Sequence, residues 1–381
     1  MRRQKLYSSR TIACCGVLGL AWAVQAIPLD HWTTVASGTT NHLRAIAFGA
    51  GTFVATGDNG AVLTSSNGIS WTLRSSGVTN SIDGVAFRHG QFVAVGKSGL
   101  IITSPDGAAW AVQSSGTTRN LNAVTWGDMG FVAAGSSGTI LISGNGTNWI
   151  AQAAATSQEF VGLGAGFGRV FVGAYGNSPA LFWSSNGSEW SYMTNVPPVN
   201  QPDLFNGGFA AGDGVMVGVR ARGMFCRSVD GNTWTLGSSP FFYCYGIAQA
   251  RHTFVTVGGG FSGGGRTIGT STNGLNWETR YLKSNEGRLL AIAYGQHRFV
   301  AVGDGGAVVV SDPLLWLSNP SAIGGGFKVT LNGEPGGVYR IQKSTNNFVS
   351  WEDVVTVTNG VDSVDVTLPI AGPSAFYRAA F

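Results

Sequence analysis

Residues 43–77 read LRAIAFGAGTFVATGDNGAVLTSSNGISWTLRSSG, and residues 82–116 repeat the pattern as IDGVAFRHGQFVAVGKSGLIITSPDGAAWAVQSSG. Each copy consists of short apolar, β-rich runs separated by turns that contain glycine, which is typical of successive β-hairpins. Residues 289–311 repeat the first part of the unit once more. No ten-residue segment after the N-terminal leader has apolar residues at helical spacing, so the pattern predicts an all-β chain.

Tryptophans mark the period of this unit. Eight of them recur at intervals of 39 to 44 residues: Trp32, Trp71, Trp110, Trp149, Trp190, Trp234, Trp277 and Trp316. A period near forty with four short strands per copy is typical of a β-propeller. Seven first strands begin at Leu43, Ile82, Leu121, Phe160, Phe205, Cys244 and Leu289. Only six Trp-bearing fourth strands follow them. We therefore predict a seven-bladed β-propeller closed by the N-terminal strand at Trp32, with Trp316 leaving the ring.

Six Ser-x-Asn/Asp-Gly-x-x-Trp sequences precede the fourth strands. Their Asn or Asp and Trp residues are Asn67 and Trp71, Asp106 and Trp110, Asn145 and Trp149, Asn186 and Trp190, Asp230 and Trp234, and Asn273 and Trp277. These sequences resemble the Asp-box, or BNR, repeat of sialidases, other secreted bacterial propellers and propellers similar to photosystem II assembly factors. The resemblance covers about residues 30–312 and implies a propeller without selecting an activity. We interpret the box residues as structural, because the Asn or Asp side chain bonds its own turn and the Trp ring packs between blades.

The N-terminus is typical of a secretory leader. Basic residues precede an apolar run at 11–24, and Val24-Gln25-Ala26 supplies the small residues of a cleavage site. We predict a signal peptide at 1–26, cleaved after Ala26, and a secreted, periplasmic or cell-surface protein. The run is too short to span a membrane, so no transmembrane segment is expected in the mature chain.

Removal of the leader changes the charge of the chain. The full sequence has 23 basic and 19 acidic residues, and residues 1–26 contain four basic and no acidic ones, which leaves 23 − 4 = 19 basic against 19 acidic residues. A neutral chain lacks the basic surface that binds nucleic acid, so we expect no nucleic-acid partner.

Blades 4 to 6 depart from the period through longer loops at 191–203, 220–223, 238–244 and 258–266. The propeller resemblance implies that these loops share one face. The candidate ligand-binding residues there are Arg220, Arg222, Arg266, Tyr192, Phe241, Phe242 and Tyr243. Arginine beside aromatic rings suits a carboxylate or a sugar. The alternative is that a rigid ring simply tolerates long loops.

Catalytic and metal sites receive little support from the sequence. The resemblance to sialidases implies three arginines, a Tyr nucleophile and acidic partners, but the Phe/Tyr-Arg-Ile-Pro motif of those enzymes is absent. The acidic residues expected on the loop-rich face are sparse: Asp58, Glu159, Asp203, Glu286 and Asp304. No His/Cys/Asp cluster has metal-ligand spacing. We expect no catalytic residue, no metal and no cofactor.

Two cysteines remain after the leader. Cys226 and Cys244 either form a disulfide, as exported pairs do, or lie buried as thiols, since both align with leucine or isoleucine in other repeats. The sequence leaves both alternatives open.

The propeller is predicted to span 27–316, and the period ends after it. Residues 317–381 contain alternating runs separated by Asn332-Gly333 and Asn359-Gly360. With Tyr339, Ser344, Trp351 and residues 376–378, this stretch resembles a short β-sandwich module at the ends of secreted bacterial proteins. The resemblance implies an accessory or surface-attachment role.

The first functional hypothesis is an exported, monomeric, non-catalytic scaffold that binds a glycan, a peptide or a protein ligand. The alternatives are a sialidase-like glycoside hydrolase and a periplasmic assembly or stability factor for a membrane complex. A paired Tyr and acid beside three arginines would favour the hydrolase.

Overall fold

The computed structural model describes residues 12–15, 29, 31–154, 156–175, 181–197, 205–238, 243–259, 265–284, 286–314, 316–323, 326–333, 338–344, 350, 352–360, 363–369 and 374–380. The chain divides into two compact units, Trp32–Ser311 and a second unit formed by Met1–His31 with Asp312–Phe381. The first unit is a seven-bladed β-propeller, which confirms the predicted fold class.

Each blade is a four-stranded antiparallel sheet, and in blades 1 to 6 the strands lie in chain order. The strands of blades 1 to 3 are Leu43–Gly49, Thr52–Gly57, Val62–Ser65 and Thr72–Arg74; Ile82–Arg88, Gln91–Gly96, Ile101–Ser104 and Ala111–Gln113; and Leu121–Gly127, Gly130–Gly135, Ile140–Ser143 and Ile150–Gln152. Those of blades 4 to 6 are Glu159–Gly166, Arg169–Tyr175, Leu181–Ser184 and Ser191–Tyr192; Phe205–Gly212, Val215–Arg220, Met224–Ser228 and Trp234–Ser238; and Tyr243–Ala250, Thr253–Gly259, Arg266–Ser271 and Glu278–Lys283. Blade 7 contains Leu289–Gly295, Arg298–Gly303, Val308–Ser311 and, from the N-terminal side, Trp32–Val35.

The N-terminal strand closes the ring as predicted. Trp32–Val35 pairs antiparallel with Val308–Ser311, with Trp32 opposite Ser311 and Val35 opposite Val308. The first strands contact one another in sequence, and the first strand of blade 7 contacts that of blade 1. The circle of blades is therefore complete, and the last blade combines strands from distant parts of the chain. Trp316 begins a strand of the second unit.

The apolar core is divided among the junctions between blades. At the junction of blades 7 and 1, buried Leu43 and Phe53 cluster with Val300 and Val302. Comparable clusters occur at the next junctions around the ring. Each blade therefore buries its apolar surface against its neighbours, and a single blade has no core of its own.

Antiparallel pairing gives the propeller two distinct faces. We call the face that carries the blade-to-blade connections and the turns between second and third strands the loop face. The opposite box face carries the turns between first and second strands and the Ser-x-Asn/Asp-Gly boxes. Five turns on the loop face are three-residue 3₁₀ segments: Asp58–Gly60, Lys97–Gly99, Ser136–Gly138, Ala221–Gly223 and Asp304–Gly306.

The box residues hold their own turns. In blade 1, Asn67 Oδ1 accepts hydrogen bonds from the backbone N–H groups of Ile69 (2.8 Å) and Ser70 (2.9 Å). Trp71 Nε1 donates to the carbonyl oxygen of Gly68 at 3.0 Å. The Trp110, Trp149 and Trp190 indoles repeat this last bond at 2.8 to 2.9 Å. These bonds lie within the fold and need no ligand to explain them.

Blades 5 and 6 keep the turn bonds but place the indole differently. Asp230 accepts from the backbone of Asn232 at 2.8 Å, and these backbone bonds lower the pKa of Asp230 to about 2. Trp234 and Trp277 are buried. Their rings lie 5.4 Å from Phe171 and 4.3 Å from Phe225, centroid to centroid, each on the preceding blade. These two tryptophans therefore pack neighbouring blades against each other.

The second unit contains two sheets in its described residues. The strands in sheet order are Ile12–Cys15, Ser374–Ala380, Val338–Ser344 and Glu352–Thr358 in one sheet, and Trp316–Ile323, Gly326–Asn332 and Ser363–Pro369 in the other. Buried residues from both sheets form one cluster: Leu317, Val329, Leu331, Tyr339, Ile341, Val366, Leu368 and Tyr377. Trp351 lies outside the described residues. The assignment to the β-sandwich module stays a prediction. The described residues contain no helix with the length and hydropathy of a membrane span.

The close approach of strand ends predicts a position that tolerates no side chain. A Cβ atom on Gly57 would lie 2.0 Å from the carbonyl oxygen of His42, which accepts a backbone hydrogen bond from Asp58 at 3.0 Å. We expect Gly57→Ala to lower the free energy of unfolding by about 2 kcal/mol or more. Gly144→Ala is the matched control, because no atom lies within 4 Å of its Cβ position. Urea denaturation measures the free energy of unfolding of both variants. If both lost the same amount relative to wild type, the close contact at Gly57 would not explain the loss.

Candidate functional site at the mouth of the central channel

The first strands of all seven blades surround a central cavity. Its volume is about 450 Å³, and side chains from every blade line it. In six blades, the residue that follows the first buried residue of the first strand faces this cavity: Arg44, Asp83, Asn122, Val161, Tyr245 and Leu290. Because this position lies next to the loop face, these residues form the mouth of the channel. The mouth is polar on blades 1 to 3 and apolar or aromatic on blades 4, 6 and 7.

An ion network spans the mouth between blades 1 and 2. Arg44 hydrogen-bonds Asp58, and its Nε lies 3.4 Å from Asp83 Oδ1. Lys97 Nζ lies 3.1 Å from Asp83 Oδ2. Ser81 Oγ lies 3.0 Å from Asp58 Oδ1 and 2.7 Å from Asp83 Oδ1, so its single proton can be donated to one carboxylate or the other. The hydrogen bond from Arg44 lowers the pKa of Asp58 and raises that of Arg44. Asp58 therefore stays ionised at neutral pH.

A second network joins blades 6, 7 and 1. Asp304 Oδ2 accepts hydrogen bonds from the backbone N–H of Arg288 at 3.0 Å and from its Nε at 2.7 Å. His42 Nδ1 lies 3.1 Å from Asp304 Oδ1, and the Arg288 guanidinium lies 5.5 Å from the centre of the Tyr245 ring. Burial raises the pKa of Asp304, but the bonds from Arg288 outweigh it, and the pKa lies below its ordinary value.

Sequence reasoning missed Arg44, Asp83, Lys97 and Arg288. For Arg44 and Asp83 the available signal was the residue after the first apolar residue of each first-strand run, which changes from Arg to Asp, Asn, Val, Asn, Tyr and Leu around the ring while the residue before it stays apolar or Cys. Our sequence analysis followed loop length instead. Of the acids it noted, Asp58 and Asp304 lie at the mouth, and Asp203 is outside the described residues.

Arg220 lies inside its blade instead of on the ligand-facing surface that we predicted. Its side chain is 1% exposed, and Nη1 donates to the carbonyl oxygen of Pro197 at 3.1 Å. Arg220 is the blade 5 equivalent of Gly57, because it pairs with Phe205 as Gly57 pairs with Leu43. Blade 5 has a wider bulge at this point: three residues, 206–208, lie between Phe205, which pairs with Arg220, and Phe209, which pairs with Gly218. Burial lowers the pKa of Arg220. Its enclosed guanidinium is therefore a poor candidate for first contact with a ligand.

The other candidate residues that the structure describes lie on blades 4, 5 and 6. Arg222 is exposed in its turn. Arg266 is 12% exposed and pairs with Glu286 at 2.6 Å. Tyr192 is 58% exposed on the outermost strand of blade 4, whereas Tyr243 starts the first strand of blade 6. Phe241 and Phe242 lie outside the described residues.

The two cysteines are buried thiols and form no disulfide. Cys226 clusters with Phe171 and Trp234, whereas Cys244 clusters with Phe225 and Trp277 at the next junction. Burial raises the pKa of Cys226 to about 12. A thiol with this pKa is protonated at neutral pH and unreactive.

The geometry does not match the arrangement implied by the sialidase resemblance. Arg44, Arg266 and Arg288 each pair with a carboxylate of this chain, so they do not form three open cations for a substrate. Among the residues that the structure describes, no group of three His, Cys, Asp or Glu side chains is placed to hold a metal ion.

Comparison with known proteins identifies the fold. No family model matches the sequence, and no curated protein matches it. Among solved structures, YCF48 from Cyanidioschyzon merolae is 17% identical, with a TM-score of 0.57 over 74% of this chain and 98% of that chain. YCF48 bound to D1 peptide is 16% identical, with a TM-score of 0.57 over 74% and 96%. Virginiamycin B lyase from Staphylococcus aureus is 10% identical, with a TM-score of 0.64 over 74% and 98%. The chain shares the propeller fold with proteins of different activities, and this likeness shows the fold alone.

The second network predicts a pH-dependent contribution to stability. A carboxyl group whose pKa is lowered by folding stabilises the protein above its unfolded pKa of about 4, and this contribution disappears as pH falls through the folded pKa. We expect Asp304→Asn to lower the free energy of unfolding by about 1–3 kcal/mol at pH 7, and by less at pH 3. Exposed Asp128→Asn is the control. Denaturant titrations at pH 7 and pH 3 measure the free energy of unfolding of each variant relative to wild type. If Asp304→Asn lost the same free energy at both pH values, the ionised Asp304 carboxylate would not be the source of the stability.

Proposed function

We propose that this chain is an exported, non-catalytic propeller that binds a peptide or a segment of a protein at the channel mouth on its loop face. The observation that carries the proposal is that the mouth of the channel is charged on one side and apolar on the other. Paired charges lie on blades 1, 2 and 7, where Arg44, Asp83 and Asp304 are found, and aliphatic residues such as Val161 and Leu163 lie on blade 4.

The exposure of the charged side favours a role in binding. The Arg44 and Lys97 side chains are 41% and 42% exposed, whereas their partners Asp58 and Asp83 are 23% and 9% exposed, so the cationic side of each pair is open to a ligand. Val161 and Leu290 occupy the same strand position in other blades, so the ring does not need charge there to fold. Charged groups of both signs can exchange partners with the polar groups of a peptide, and the aliphatic wall can receive its apolar side chains.

The comparison supports a peptide over a glycan. A propeller of similar structure is known with a D1 peptide bound, although its low identity carries no residue to this chain. The ion pairs of Arg44, Arg266 and Arg288 count against a sialidase-like active site, for the reason given above.

Charge reversal at the mouth tests the proposal. A peptide array with varied charge identifies a binder, and fluorescence anisotropy then measures its affinity. We expect Lys97→Glu to weaken binding by about tenfold or more, because it replaces the cation beside Asp83 with a second carboxylate. Arg222→Glu is the matched control, since Arg222 lies in the equivalent 3₁₀ turn of blade 5.

Two outcomes would contradict the proposal. Weakening by Arg222→Glu alone would place the ligand at the long loops of blades 4 to 6. Binding of glycans without any peptide, or release of a fluorogenic sugar, would replace the peptide hypothesis with the glycan or hydrolase alternative.

Export rests on the leader sequence at 1–26. We expect N-terminal sequencing of the protein from a bacterial host's periplasm or medium to begin at Ile27, because signal peptidase cleaves after small residues such as Ala26. Expression without residues 1–26 serves as the control and should leave the protein in the cytoplasm. A chain that retains Met1 and stays in the cytoplasm would contradict export.

A further inference from the structure

The carboxylates of the mouth on blades 1 and 2 are occupied by donors of this chain. Arg44 donates to both oxygens of Asp58, through Nε and Nη2. Lys97 Nζ lies 3.1 Å from Oδ2 of Asp83. Arg44 Nε and Ser81 Oγ lie 3.4 Å and 2.7 Å from the other oxygen, Oδ1. Every oxygen of these two carboxylates therefore already faces a donor.

Blade 7 repeats this arrangement with Asp304. Its Oδ2 accepts hydrogen bonds from the backbone N–H and Nε of Arg288, and its Oδ1 accepts from Nη2 at 3.3 Å. A carboxylate has about four acceptor sites, and Arg288 alone occupies three of those on Asp304. The acids at the mouth are therefore poor partners for a donor of a ligand.

The cations have donors to spare. An ammonium or guanidinium group carries more N–H bonds than one carboxylate oxygen can accept. Lys97 contacts Asp83 through one of its three N–H bonds. Arg44 pairs with Asp58 through Nε and Nη2, so Nη1 takes no part in these bonds. The unused donors suit an acceptor that a ligand brings.

Exposure separates the two signs in the same way. Arg288 is 39% exposed and Asp304 is 15% exposed, and the pairs of blades 1 and 2 show the same order. Blade 2 exchanges the two charges, with the acid Asp83 on the strand and Lys97 in the turn, and the cation is still the exposed member of the pair. The charged side of the mouth therefore presents positive charge to a ligand.

The exposed cations lie on neighbouring blades. The first strand of blade 1 contacts those of blades 7 and 2. The hydrogen bond to Asp58 is the largest cause of the raised pKa of Arg44, and the charges of Asp83 and Asp304 contribute to it, so Arg44 links the two ion networks. The exposed acid Glu159 belongs to blade 4, where it accepts from Asn122 at 3.2 Å.

We propose that the peptide bound at the mouth presents a carboxylate to Arg44, Lys97 and Arg288, so that the partner is an acidic segment. This inference rests on the proposed function, because it concerns the same mouth. A carboxylate of the ligand accepts from the donors that the enclosed acids leave unused, in charge-assisted hydrogen bonds. A lysine of the ligand would instead meet exposed cations, which disfavours basic segments. The carboxylate comes either from an Asp or Glu side chain or from the end of the peptide chain.

Peptide pools with one fixed residue test the inference on the purified protein. Each pool contains acetylated, amidated nine-residue peptides with random flanks and Glu, Gln or Lys at the centre, and biolayer interferometry measures its apparent dissociation constant. We expect the Glu pool to bind about tenfold more tightly than the Lys pool, with the Gln pool between them. A Gln pool with a free C-terminal carboxyl group separates the two sources: binding as tight as that of the Glu pool assigns the carboxylate to the chain end.

Charge reversal at Lys97 distinguishes direct contact from an effect on the fold. In Lys97→Glu the preference for a carboxylate should be lost, and the Lys pool should bind at least as tightly as the Glu pool. Lys97→Gln covers the case in which Lys97→Glu does not fold, and it should reduce the preference about threefold. Lys97→Arg keeps the charge and should keep the wild-type order. Arg222→Glu, in the equivalent turn of blade 5, is the matched control and should also keep it.

The outcomes separate this inference from the proposed function. Equal binding of the three amidated pools, with no gain from a free carboxyl group, would overturn the carboxylate while the peptide function stands. Preference of wild type for the Lys pool would do the same, as would an unchanged preference for the carboxylate in folded Lys97→Glu and Lys97→Gln. If no pool bound at all, the proposed peptide function would fail, and this inference would fail with it.

Discussion

Packing between neighbouring blades is the interaction on which this structure depends. The buried apolar residues lie at the junctions, as Leu43 and Phe53 do against Val300 and Val302, so a blade that loses its neighbour exposes its core. The ring must therefore close, and the pairing of Trp32–Val35 with Val308–Ser311 closes it within one sheet. The same packing brings backbone atoms so close to several strand ends that a side chain there would clash. These positions, among them Gly57, are therefore restricted to glycine.

This packing leaves only a few positions free to vary between blades. Side chains that face the channel escape the junctions, which is why Arg44, Asp83 and Leu290 can occupy the same strand position. Since apolar residues also suit this position, closure of the ring does not require charge there.

Blade 5 differs most from the repeat, and the differences are substitutions at regular positions. Arg220 replaces a glycine and is enclosed by a wider bulge. Ala211 stands at the first-strand position that holds Phe48, Phe87, Trp126 and Tyr294 in blades 1, 2, 3 and 7. In the sequence, the length of the loops draws attention to blades 4 to 6. Comparison of equivalent positions between repeats is the more informative signal, because each repeat shows what the next should contain.

The sequence by itself determined the all-β class, the seven blades, the closing strand at Trp32 and the position of the box turns. These features depend on local alternation, on turn residues and on a period near forty, all of which can be read along one strand or one hairpin. Only the tertiary structure decided that Arg44, Asp83 and Lys97 meet at one mouth, that Glu286 neutralises Arg266, and that Cys226 and Cys244 lie in separate clusters. Such contacts join different elements or different blades, and they depend on side-chain direction and on the path of each bulge, which the spacing of residue types does not specify.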